Sequence, residues 1–237
     1  TASVEERGAR VWDALSGQPL TPVIRHPHGW KYAAFSPDGT RLVTISQNGE
    51  ARLWDAHTGL PVTPALTHDR AIVEVKFSRD ASQVITCSTD SVRVWDLTGV
   101  ESLAWTIPFD SKRQRMREKL DSRLWGAAFS PDGLRMLSVD PNHLEMARVR
   151  AVQTGEPLTP PLGAARGDGP SCASFSFDGR HIVTVSRIGD GTTAQVRIYD
   201  SNTGQPLTPP MDCPASGFGT THIEFSPDGK RLLAAGG

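Results

Sequence analysis

Phe35-Ser36-Pro37-Asp38-Gly39 decides the fold, because the chain repeats it. The block returns unchanged as Phe129-Ser130-Pro131-Asp132-Gly133 and as Phe225-Ser226-Pro227-Asp228-Gly229. Two altered forms lie between, Phe77-Ser78-Arg79-Asp80-Ala81 and Phe175-Ser176-Phe177-Asp178-Gly179. The phenylalanines are 42, 52, 46 and 50 residues apart, a spacing that fits one supersecondary unit per period. Pro presets the first turn residue, Asp bonds back to the backbone, and Gly accepts a left-handed conformation. Each block is therefore a tight hairpin turn. Alternating apolar residues precede it, as in Ile72-Val73-Glu74-Val75-Lys76-Phe77, and a second apolar run follows, as in Arg41-Leu42-Val43-Thr44-Ile45-Ser46. These are strands a and b. Ala81 stands where the turn wants Gly, which predicts either another turn type or a strained one.

Further out, Arg10-Val11-Trp12-Asp13 recurs as Arg52-Leu53-Trp54-Asp55, Arg93-Val94-Trp95-Asp96 and Arg197-Ile198-Tyr199-Asp200, and is degenerate at Arg148-Val149-Arg150-Ala151. This is strand c. A Ser/Thr-Gly pair follows each copy, and Pro19-Leu20-Thr21-Pro22 or a relative of it follows that pair in most units. Pro cannot donate to a sheet ladder, so this fourth strand, d, belongs at an edge. The class is all-β: a β-propeller of four-stranded antiparallel blades, with about five blades' worth of sequence.

Composition agrees. Among 237 residues are 22 Gly and 18 Pro, above the usual share but short of a disordered composition. Fourteen of the prolines fall in the repeated turns and edge strands. Basic and acidic residues balance at 25 and 26, so no global field calls for nucleic acid or anionic membrane. Cys87, Cys172 and Cys213 are odd in number and far apart, which argues against a disulfide scaffold and for a reducing, cytoplasmic setting. No apolar run approaches the length of a membrane-spanning helix.

These blocks resemble the WD40-repeat β-propeller family. They are most similar to its bacterial form, with Trp-Asp-Ala-x-Thr-Gly-x-Pro-Leu-Thr-Pro and Phe-Ser-Pro-Asp-Gly blocks. The resemblance covers almost the whole chain. It gives one propeller domain or arc over 1–237, with units at about 23–67, 68–108, 123–163 and 169–212. A fifth unit is split between 1–22 and 220–237, and a basic loop is inserted at 109–122. A start without Met and ends inside a repeat predict a segment of a longer propeller; whether it closes as a ring stays open. The family's stabilising network joins a His, a Ser/Thr of strand b, an Asp of the b–c turn and the strand c Trp. The matching residues are His26, Ser46, Asn48 and Trp54, then His68, Ser88, Asp90 and Trp95. Arg150 and Tyr199 replace the Trp in the later units, which predicts incomplete networks there.

Function is expected in the loops. The step from the strand d reference residue to the next Phe is 14 in the first two units and 25 from Ala104 to Phe129. The b–c connections of units three and four are also longer. Both kinds of loop leave the same face of a propeller, so the insertions gather there. The longest holds Lys112, Arg113, Arg115, Arg117 and Lys119, a candidate contact for an acidic protein segment. His28, Arg187 and Asp190 share that face and complete the candidate partner-binding set. No aromatic platform accompanies the basic loop, so nucleic acid is not expected.

No nucleophile elbow, zinc-protease motif or phosphate loop occurs. His26-Pro27-His28 lacks further ligands at metal spacing. The reading is a non-catalytic protein-interaction scaffold with no cofactor or metal. Its expected partners are a protein or peptide on the d–a/b–c loop face and other domains of the same parent chain. The resemblance further implies a larger bacterial multidomain protein, kinase-linked signalling included. The alternative is a five-bladed propeller that binds or hydrolyses glycans through axial carboxylates.

Overall fold

The computed structural model describes residues 2–3, 8–26, 28–88, 90–99, 103–108, 127–140, 146–163, 170–188, 193–214 and 220–236. Every regular element among them is a strand, and neighbouring strands pair antiparallel. The first sheet contains β1 (Ala2–Ser3), β2 (Gly8–Ala9) and β3 (Ile24–Arg25). The second contains β4 (Trp30–Phe35), β5 (Arg41–Ser46) and β6 (Ala51–Asp55). The third has all four strands, β7 (Ile72–Phe77), β8 (Gln83–Ser88), β9 (Ser91–Asp96) and β10 (Leu103–Pro108). The fourth contains β11 (Ala127–Phe129), β12 (Arg135–Asp140) and β13 (Met146–Ala151). The fifth again has four, β14 (Pro170–Phe175), β15 (His181–Ile188), β16 (Thr193–Asp200) and β17 (Met211–Pro214). The sixth is the hairpin β18 (Thr220–Phe225) and β19 (Leu232–Gly236).

The repeated turn is built as its residues require. Ser36 Oγ accepts Arg41 N at 2.9 Å and donates to Asp38 Oδ1 at 2.5 Å. Asp38 Oδ1 also accepts Thr40 N at 3.0 Å, and Gly39 takes φ 71°. Unit two keeps this turn with Ala81 at φ 58° and its N–H on Ser78 O at 3.0 Å. The turn is therefore of the same kind and carries the left-handed strain of a Cβ.

Strand d departs from the simple expectation. Pro19, Pro61, Pro157 and Pro206 form isolated bridges to Trp12, Trp54, Arg150 and Tyr199. Regular pairing resumes beyond the block, in β3 and β17. Proline breaks the ladder, and the intervening threonine replaces a carbonyl as acceptor. Thr21 Oγ1 accepts Val11 N at 3.1 Å, Thr159 Oγ1 accepts Val149 N at 3.1 Å, and Thr208 Oγ1 accepts Ile198 N at 3.2 Å.

The core lies between sheets, not within them. Alternate residues of a b strand face opposite neighbours. Leu42 packs with Ala9, Val11, Ile24 and Trp54, while Val43 packs with Ile72, Val75, Val84 and Trp95. Three further clusters join the third to the fourth, the fourth to the fifth and the fifth to the sixth sheet. The result is an arc of six sheets held by five apolar joints. The N-terminal and C-terminal half-units belong to different sheets and share no strand pairing among the described residues.

Candidate interaction surface

Buried hydrogen-bond networks fix the c strands that this arc displays. In unit two, Trp95 Nε1 donates to Thr86 Oγ1 at 2.7 Å, and Thr86 Oγ1 is 2.7 Å from His68 Nε2. His68 Nδ1 is 2.8 Å from both Ser88 Oγ and Ser91 Oγ, and Ser88 Oγ donates to Asp90. A neutral His68 with its proton on Nδ1 lets each group donate to the next: indole to Thr86, Thr86 to His68, His68 to Ser88, Ser88 to Asp90. Burial holds the imidazole pKa down to about 4, with nearby Arg93 adding to the effect and Asp90 opposing it. The four expected residues are present, and the structure adds Thr86 and Ser91.

Unit one is different. Trp54 Nε1 donates to Thr44 Oγ1 at 2.9 Å, and Ser46 Oγ donates to Asn48. His26 is buried, yet neither ring nitrogen has a hydrogen-bond partner. It meets Trp54 edge-on, 6.2 Å between ring centroids. Burial lowers its pKa as well. In both units the indole bonds the Thr two residues before the expected Ser. Later units substitute other anchors: Tyr199 Oη donates to Gly163 O at 3.2 Å, and Arg150 Nε donates to Ser138 Oγ at 3.2 Å.

The face expected to bind is only partly described. His28 is exposed in the d–a turn. Lys112, Arg113, Arg115, Arg117, Lys119 and Asp190 lie outside the described residues, and Arg187 is placed only as backbone of β15. Trp30 starts β4 opposite Ser46 and is half-buried.

A feature the sequence reading did not find lies at the opposite face. The a strands and a–b turns of four adjacent units line a cavity of about 530 Å³. Pro37, Arg79, Pro131 and Phe177, all at the second turn position, form its mouth. Phe35, Phe77, Phe129 and Phe175 line it as well. Three of these phenylalanines also pack into the joints between sheets. Among the described residues, the lining carries two cations, Lys76 and Arg79, and no carboxylate. The period itself could have revealed this pocket, since three lining positions recur in all four units: the Phe, the residue before it and the residue two after it.

The comparisons agree with this architecture. The family model for WD40, described as WD domain, G-beta repeat, matches residues 20–55 and 62–96. No curated protein sequence matches the chain. Among solved structures, the C-terminal WD40 domain of Sif2 matches at 18% identity and TM-score 0.65, over 92% of this chain and 56% of that one. The computationally designed Ika8 protein matches at 19% identity and TM-score 0.67, over 96% and 61%. KlHsv2 with loop 6CD replaced by a Gly-Ser linker matches at 14% identity and TM-score 0.64, over 96% and 67%. The fold is thus a WD40-type β-propeller of four-stranded antiparallel blades. The chain spans about 56 to 67% of the length of these structures.

Proposed function

We propose that this chain is a non-catalytic WD40 scaffold that holds protein partners. The observation that carries this is the frame itself. Five joints of buried apolar side chains lock six sheets together, and the sequence variation falls in loops and turn positions at the two faces. Rigid elements with variable loops make binding surfaces. The inserted loop with Lys112, Arg113, Arg115, Arg117 and Lys119 supports an acidic protein segment as partner on the d–a/b–c face. The block composition supports a module of a larger bacterial, cytoplasmic signalling protein, with a kinase domain among its neighbours. The glycan alternative needs two facing carboxylates. Among the described residues the cavity lining offers none, and Glu74 on β7 is ion-paired to Lys76 at 2.8 Å.

Crosslinking mass spectrometry of the 237-residue chain in a lysate of its source cells tests this reading. Protein crosslinks should map to the d–a/b–c loops. Changing Arg113, Arg115 and Arg117 together to Glu should remove them without shifting the melting temperature. Crosslinks unchanged in the triple variant refute the loop assignment, and turnover of a glycan refutes the scaffold.

A further inference from the structure

Resting on the scaffold reading, we infer that the a–b turn cavity is a second docking site. Its occupant is an extended peptide of a partner protein that carries a bulky apolar side chain beside an Asp or Glu. The a–b turn supports this. Its second position is Pro37, Pro131 and Pro227 in three units, where proline presets the backbone. The two exceptions are Arg79 and Phe177, and neither helps a turn form. Both face the same cavity. The repeat thus gives up its turn-forming residue only where a cation and an aromatic ring are placed at this mouth.

The wall is apolar and accessible. Phe177 is 66% exposed, Phe35 53% and Tyr32 44%, while Phe77, Phe129 and Phe175 are half-buried. The volume of about 530 Å³ lies within the range of ligand pockets, roughly 300–1,000 Å³. The mouth runs across four neighbouring units, so an extended chain can lie over it.

Charge selects the peptide. Lys76 is committed to Glu74 at 2.8 Å and to Ala127 O at 3.3 Å. Asp38, Asp80, Asp132 and Asp178 follow the mouth positions in sequence, but each carboxylate accepts from donors of its own turn and none is in the lining. Arg79 is exposed and makes no hydrogen bond or ion pair among the described residues. A guanidinium beside aromatic rings is a strong carboxylate anchor, and Arg and large aromatics dominate binding energy at interfaces.

Selection of displayed random heptapeptides on the intact chain tests the proposal, with Arg79→Glu and Phe177→Ser as variants. Wild type should enrich peptides that pair Phe, Leu or Trp with Asp or Glu. By fluorescence anisotropy, Arg79→Glu should weaken the selected peptides by about 10–100-fold, the worth of a charge-assisted hydrogen bond. Reselection on Arg79→Glu should turn toward Lys and Arg. Phe177→Ser should weaken the same peptides, and neither exposed change should shift the melting temperature. Equal affinity for wild type and both variants, or enrichment of basic peptides by wild type, overturns the site and leaves the scaffold reading intact. Failure to select any peptide, with no protein crosslink on either face, counts against both.

Discussion

Thr86→Val removes one hydroxyl and keeps the side-chain shape, which isolates the network around Trp95. Two buried groups lose their partner: Trp95 Nε1, bonded at 2.7 Å, and His68 Nε2, also at 2.7 Å. An unsatisfied buried polar group costs about 1–3 kcal/mol, so losing two partners should destabilise the chain by about 2–6 kcal/mol. Thr44→Val supplies the internal control. There only Trp54 Nε1 loses its partner, because His26 is already unbonded. Its cost should be about half as large, about 1–3 kcal/mol, and the difference measures the His68 bond. Urea unfolding followed by tryptophan fluorescence at pH 7.5 gives both values. Indole N–H exchange by NMR then shows which tryptophan is loosened. Equal costs for the two substitutions, or faster exchange at Trp54 than at Trp95 in Thr86→Val, would refute the relay from indole to imidazole.

Three more outcomes are expected. Ala81→Gly relieves the one left-handed residue other than glycine among those described and should stabilise by about 0.5–1 kcal/mol, read as a higher urea midpoint; a lower midpoint would show that burial of the methyl outweighs strain. Acid should weaken the fold through His68, whose pKa is near 4 folded against about 6.5 unfolded. Stability is fully present above pH 6.5 and falls by about 2–3 kcal/mol toward pH 4; the turn aspartates, held below their ordinary value, act only at lower pH. A flat profile over that window, or one unchanged in His68→Asn, would contradict this. Cys87, buried and with its thiol pushed up to about 12, should resist alkylation at pH 8 until the chain is unfolded; modification at the rate of a free thiol would show that the joint between the third and fourth sheets opens readily.

Strands a, b and c and the hairpin turns were legible because each depends on chemistry local to a few residues. Ser, Asp and Gly at fixed offsets build one turn, and it recurs with the period. The network was legible only by resemblance, and incompletely. Thr44 and Ser46 are two residues apart on one face of β5, so sequence alone does not say which one an indole reaches. The pairing decides it. Leu42 lies opposite Trp54, and the indole reaches diagonally to Thr44. His26 and His68 occupy the same position before their phenylalanines. Their different fates depend on what lies across: Ser91 accepts or donates in unit two, where unit one has Glu50 turned toward Arg52 at 3.1 Å. Strand d was placed correctly as an edge, but its prolines reduce it to bridges. The turn-face cavity went unread because it comes from four distant copies of one position. A pass along the chain treats each as a separate hairpin.

The placement of the apolar clusters has a consequence for how such a chain changes length. No sheet here owns its hydrophobic core. Leu42 and Val43 are neighbours in one strand and belong to different joints. A single unit cut out of the array would have nothing to fold around. Removing a whole unit, however, brings together two surfaces of the kind already matched at every other joint. Gene duplication or deletion in register with the repeat therefore makes or loses one joint and asks no other side chain to change. Breaks out of register would strand half a joint on each side. Selection for a packed interior thus acts as a counting rule on the gene, allowing it to grow and shrink in whole periods.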